Sequence, residues 1–146
     1  MIGKLSGFER QLCDIQGRLF ELSLEKGLDS GDFIKKFMNS ATCEYLDLPY
    51  DRLQWAGEEY MLENLLEEVL VSRAGLQFSR EELYWTGYVY RYWHLLTGES
   101  SSEIFAQANA TMMRECYLGF HTLDTIMVIE DLKTISHLQH TERQAG

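Results

Sequence analysis

Ser79-Arg80-Glu81-Glu82-Leu83-Tyr84-Trp85-Thr86-Gly87-Tyr88-Val89-Tyr90-Arg91-Tyr92-Trp93-His94-Leu95-Leu96-Thr97-Gly98 is the stretch that decides the fold. Ser79 and Glu82 stand in the S-x-x-E spacing of a capping box, and Gly98 supplies the stop, so the segment predicts one long helix. At about 100° per residue, Tyr84, Trp85, Tyr88 and Tyr92 spread over one face while Tyr90 and Trp93 point nearly opposite. A helix with large rings on two sides predicts burial on two sides, which makes this the central helix of an all-α, single-domain, multi-helix bundle.

Working outward, Phe8, Leu12, Ile15, Leu19 and Leu22 form an amphipathic stripe, with a second capping box at Ser6 and Glu9 and Gly27 past its end. A helix from Asp29 or Ser30 carries Phe33, Ile34, Phe37 and Met38, and Asn39-Ser40 predicts a break before Cys43, Tyr45 and Leu46. Pro49 separates this half from a helix expected over Gly57 to Arg73, with Leu62, Leu65, Leu66, Val69 and Leu70 inward. On the far side, Ser100 and Glu103 make a third capping box, Asn109 interrupts, Thr111 to Phe120 continues, and Asp124 caps a last helix bearing Ile126, Met127, Ile129 and Leu132. The domain is expected over residues 1–137, with 138–146 a frayed polar tail. No period-two alternation predicts a strand.

The chain has 146 residues, 45% apolar and 12% aromatic, which suits one domain with a sizeable core. Its net charge of -10 argues against nucleic acid as a partner. That charge is focused: residues 1–40 balance six acids against six bases, whereas residues 41–75 set eight acids against Arg52 and Arg73. Cys13, Cys43 and Cys116 lie far apart without a Cys-x-x-Cys pair and read as reduced thiols. No signal-like or membrane-spanning run appears, so a cytoplasmic protein is expected.

Chemical signatures are few, and a non-enzymatic protein without cofactor or metal is expected. None of His94, His121, His137 and His140 follows a glutamate by three residues, which removes the Glu-x-x-His pattern of a di-iron bundle. No glycine-rich phosphate loop and no local nucleophile signature is present. Ser101 to Phe120 can be drawn as helix-turn-helix, but its second helix offers one cation, Arg114, beside Glu115, too few donors for reading a groove. A DNA-associated regulator would need a basic face built from Lys4, Arg10, Arg18, Lys35 and Lys36.

The feature singled out for partner binding is the acidic ridge of Glu58, Glu59, Glu63, Glu67 and Glu68. Glu59, Glu63 and Glu67 repeat at i, i+4, where like charges cost roughly 0.2–0.5 kcal/mol per pair. A solvated outer face explains such a ridge, and so does a docking surface for a basic protein. Arg91 and His94, with Tyr88 and Tyr92, form a second candidate: Arg91 stacks on a tyrosine or pairs with a carboxylate from another helix, and His94 caps a carbonyl, or the group walls a pocket for a planar ligand. The heptad stripe of the first helix is compatible with a homodimer and equally with an intramolecular bundle.

Tyr88-Val89-Tyr90-Arg91-Tyr92-Trp93-His94-Leu95-Leu96-Thr97-Gly98-Glu99-Ser100-Ser101, followed by His121-Thr122-Leu123-Asp124 and Ile129-Glu130-Asp131-Leu132, resembles a family of small uncharacterised helical Firmicutes proteins. Members are often encoded beside predicted toxin genes, including ones similar to ADP-ribosyltransferases. The likeness covers roughly the C-terminal 60 residues and implies an antitoxin, inhibitor or accessory partner of a toxin or other effector.

Overall fold

Each of the three S-x-x-E sequences closes reciprocally in the computed structural model, which describes residues 4–145: Glu9, Glu82 and Glu103 bond back to the serines that cap them. The helices run α1 Gly7–Glu25, α2 Ser30–Met38, α3 Ala41–Asp47, a 3-10 turn Arg52–Trp55, α4 Glu58–Glu68, α5 Arg80–Thr97, α6 Ser101–Gln107, α7 Ala110–Phe120 and α8 Thr125–Ala145. Among the described residues there is no strand, only an isolated antiparallel bridge between Leu28 and Arg73. The domain is all-α.

Helix α5 is central. It makes its most extensive contact with α1 and further contacts with α6, α7 and α8. Tyr90 and Trp93 are fully buried, and one apolar cluster runs from Leu5 to Leu132. The Tyr90 hydroxyl donates to the Ala108 carbonyl at 2.6 Å, so the deepest phenol keeps a partner.

The α1–α5 crossing is tightened by two glycines beside the apolar stripe. Gln16, Gly17 and Phe20 meet α5, while within the stripe Leu12 and Leu19 are buried and Phe8, Ile15 and Leu22 are half-buried. A Cβ on Gly87 would lie 2.7 Å from the Gln16 carbonyl oxygen, and one on Gly17 would lie 2.7 Å from the Tyr84 ring. Gln16 Nε2 then donates to the Gly87 carbonyl at 3.0 Å. Backbones approach this closely only where both helices lack a side chain.

Several expectations change, and Leu66, expected inward on α4, is exposed. Helix α4 ends at Glu68, not near Arg73, because Val69 turns extended and the following segment is claimed by α2. Asp32 accepts from the Ser72 amide at 2.7 Å, Asp29 from the Leu76 amide at 2.9 Å, and the Ser30 hydroxyl from the Phe78 amide at 2.9 Å. These bonds outcompete continuation of the helix and leave Leu70 exposed while burying Val71 and Phe78. At the other end, α8 continues through residues expected to fray, reaching Ala145, with no Gly or Pro in 138–145 to stop it. Met127, expected inward, is half exposed, since α8 turns Val128, Ile129 and Leu132 to the core.

Candidate functional site

The acidic ridge divides. Glu59, Glu63 and Glu67 are exposed on α4 and form no ion pair with any described residue. Glu59 and Glu63 border a shallow cleft of about 120 Å³ whose other rim carries Lys26 and Arg73. Glu58 stands half-buried in the first turn of α4, where an acid complements the helix dipole. Glu68 does something different. Its carboxylate accepts the Ala41 amide at 2.6 Å, the Thr42 amide at 2.9 Å and the Thr42 hydroxyl at 2.8 Å, capping α3. Burial opposes ionisation there, but these bonds prevail and hold the carboxyl below its usual range. Glu68 is a structural cap, and the free ridge is Glu59, Glu63 and Glu67.

The segment from α3 into α4 exposes four aromatic rings. Tyr45, Tyr50, Trp55 and Tyr60 are all more than half exposed, Tyr50 at 86%. Tyr45 and Tyr60 border a surface hollow of about 360 Å³ with Asp51, Arg52 and Asn64. Trp55 stacks on Phe8 with ring centres 5.0 Å apart, which fixes its orientation while leaving one face open. Tyr50 has φ of +62°, a left-handed conformation that a bulky residue adopts only when its surroundings impose it.

Arg91 is 3% exposed and is satisfied internally. Its Nε donates to Gln16 Oε1 at 2.9 Å and its Nη1 to Asp47 Oδ1 at 2.8 Å, tying α1, α3 and α5. Asp47 also accepts the Ser101 amide at 2.8 Å and hydroxyl at 2.7 Å, bringing in α6. His94 spans the Asp47 carbonyl at 3.0 Å and the Glu99 carbonyl at 2.6 Å. The void beside Arg91 measures about 10 Å³, room for one water at most. Tyr88 and Tyr92 continue a tilted ring ladder, 6.2 Å apart, without Arg91. Of the two roles expected for Arg91 and His94, the structure places them in carboxylate pairing and carbonyl capping. Burial pushes the Cys13 thiol up to about 12 and the Cys43 thiol up to about 11, the latter despite Arg91 at 3.6 Å, so neither supplies a thiolate nucleophile at neutral pH.

Glu99 forms a second node. Trp93 Nε1 donates to it at 2.9 Å, Gln107 Nε2 at 2.7 Å and Lys133 Nζ at 2.7 Å, binding α5, α6 and α8 together. Burial works against the charge, but these three donors hold the carboxyl near 2, well under its ordinary 4.5. A depressed pKa contributes stability above the unfolded value that is lost as the pH falls toward the folded one. Glu99→Gln is therefore expected to melt below the parent protein at pH 7, and the gap to close between about pH 5 and 2. Thermal melts across that range, followed by circular dichroism, check it; a gap that persists at pH 2 contradicts it.

One feature is not legible in the sequence: Tyr84, Trp85 and Tyr88 of α5, with Tyr117 and His121, line an open groove of about 460 Å³ between α1, α5 and the α7–α8 turn. Helical spacing puts Tyr84 and Trp85 with the packed rings and groups Tyr88 with Arg91 and His94, because the α7–α8 turn, which leaves Leu123 exposed and the groove open, is set by distant neighbours. The spacing that points to it is the pair of i, i+4 ring couples, Tyr84 with Tyr88 and Tyr117 with His121.

The cations needed for a DNA-binding face are partly spent: Arg18 pairs with Asp14 at 3.1 Å and Lys36 with Asp32 at 3.0 Å. Arg114 pairs with Glu82 at 3.4 Å and lies over the Phe78 ring. Among the described residues, no group of three or more His, Cys, Asp and Glu side chains is placed to hold a metal, and no helix is long and apolar enough to cross a membrane. The fold is an all-α domain whose helix α4 carries unpaired acids and one exposed ring, Tyr60. Comparison with protein-family models, curated proteins and solved structures finds no match.

Proposed function

We propose that this chain is a protein-interaction module that binds and masks a basic surface on an effector protein, in the manner of an antitoxin or inhibitor. One observation carries the reading: Glu59, Glu63 and Glu67 form no ion pair with any described residue and stand on α4 with exposed Tyr60, which shares a surface hollow with exposed Tyr45. Tyr and Trp are the side chains that dominate interface energetics, and a rim of one charge sign steers an oppositely charged partner and sets register. The resemblance of the C-terminal segment to proteins encoded beside toxins points the same way. Three free thiols, Cys13, Cys43 and Cys116, support a cytoplasmic setting.

The test is affinity capture from the source organism, followed by association kinetics with the partner obtained. A stoichiometric basic protein is expected. The triple reversal Glu59→Lys, Glu63→Lys, Glu67→Lys should slow association about tenfold or more and flatten its salt dependence. Tyr60→Ala should speed dissociation, with an anchor loss of about 2 kcal/mol, or roughly thirtyfold in affinity. Binding indifferent to both changes overturns the proposal.

A further inference from the structure

The aromatic groove on α5 lies apart from the acidic face and from the Arg91 network. Trp85 and Tyr117 meet at 80° with ring centres 5.7 Å apart, giving two walls at nearly right angles. His121 stacks parallel to Tyr117 at 4.3 Å, and Tyr84 and Tyr88 stand 6.0 Å apart along α5. Neither internal cation–π contact, Arg114 over Phe78 or Lys133 over Trp93, uses a ring of this groove.

Its electrostatics favour a positive guest. Aromatic faces carry negative quadrupole density that attracts cations. Arg80, the cation on the rim, is engaged by Glu21 at 2.5 Å and Glu25 at 3.6 Å, two carboxylates for one guanidinium. Glu81, also on the rim, has no ion pair among the described residues. The Tyr84 hydroxyl donates to the Asp14 carboxylate, which enriches that ring in electron density. His121 Nδ1 faces the Tyr117 carbonyl at 2.8 Å, and a carbonyl only accepts, so Nδ1 donates in that contact. Tyr84, Trp85, Tyr88, Tyr117 and Leu123 make the lining more apolar than polar, and Glu21 is already paired with Arg80, so one unpaired carboxylate, Glu81, stands among ring faces, which suits a cation clothed in methyl groups better than a strongly hydrated one.

We propose that this groove is a binding site for a small quaternary or tertiary ammonium ion, held by the faces of Trp85, Tyr88 and Tyr117 and balanced by Glu81. The site is independent of the effector-binding face and remains if that reading fails.

Choline is the probe, with 3,3-dimethylbutan-1-ol as the same shape without the charge and sodium chloride as the ionic-strength control. Titration of the full chain is followed by the Trp85 indole N–H resonance and by saturation transfer to the choline methyl protons. A saturable choline shift at Trp85, at least about tenfold tighter than for the uncharged alcohol, is expected, with the Trp55 and Trp93 indoles unmoved. Trp85→Leu should abolish transfer to the methyl groups; Glu81→Lys, an exposed change that leaves the core intact, should weaken choline several-fold without affecting the alcohol. Equal binding of alcohol and choline, a shift shared by Trp55, or transfer undiminished in both variants overturns the proposal.

Discussion

Asp47→Ala is expected to cost about 3–5 kcal/mol of folding stability, the largest loss of any single polar substitution in this chain. The substitution removes the carboxylate that Arg91 Nη1 meets at 2.8 Å and that receives both the amide and the hydroxyl of Ser101. Arg91 cannot escape to water, being 3% exposed between α1 and α3. The cost is dominated by this stranded cation rather than by the net worth of the pair, which desolvation largely offsets. A double-mutant cycle separates the two: Asp47→Ala with Arg91→Met should recover at least half of the single-variant loss, since the thioether fills the stem's volume without a charge. Denaturant unfolding of the four proteins measures it. An Asp47→Ala loss below about 1 kcal/mol, or additive losses in the cycle, would show that water reaches Arg91.

The same network shows why only part of the molecule is legible from the chain. Capping boxes at Ser6, Ser79 and Ser100 act over three residues, and all three form as read. Arg91 and Asp47 lie 44 residues apart, so a carboxylate partner could be anticipated for Arg91 but not named. Glu68 shows the opposite failure: it belongs by spacing to the acidic ridge, yet its lone pairs are taken by Ala41 and Thr42, which approach only once α3 packs against α4. The α4 boundary is hidden from the sequence for the same reason, because Asp29 and Asp32 compete for the backbone of residues 72–76 from a distant helix. Periodicity reports which side chains are apolar, whereas the open groove and the α1–α5 crossing depend on which neighbours are missing or small.

The crossing yields the sharpest test of that last point, because two Gly→Ala substitutions in helices are expected to differ in sign. Alanine is favoured over glycine inside a helix by about 1 kcal/mol, so Gly119→Ala in α7, where an added Cβ meets nothing within 4 Å, should stabilise the fold by about 0.4–1 kcal/mol. Gly87→Ala gains the same propensity but sets its methyl 2.7 Å from the Gln16 carbonyl oxygen and 2.9 Å from the Phe20 ring. The first neighbour is backbone and cannot rotate away. The helices must part, straining the 3.0 Å bond from Gln16 Nε2 to the Gly87 carbonyl and the Gln16–Arg91 contact at 2.9 Å. Overpacking of this kind costs about 1–3 kcal/mol after the propensity gain, and Gly87→Val, with two further methyls, should cost more. Paired thermal and denaturant melts of the Ala variants decide the matter: a stabilised Gly87→Ala would mean that α1 and α5 stand farther apart than described, and the geometry holding Gln16 against Arg91 would have to be redrawn.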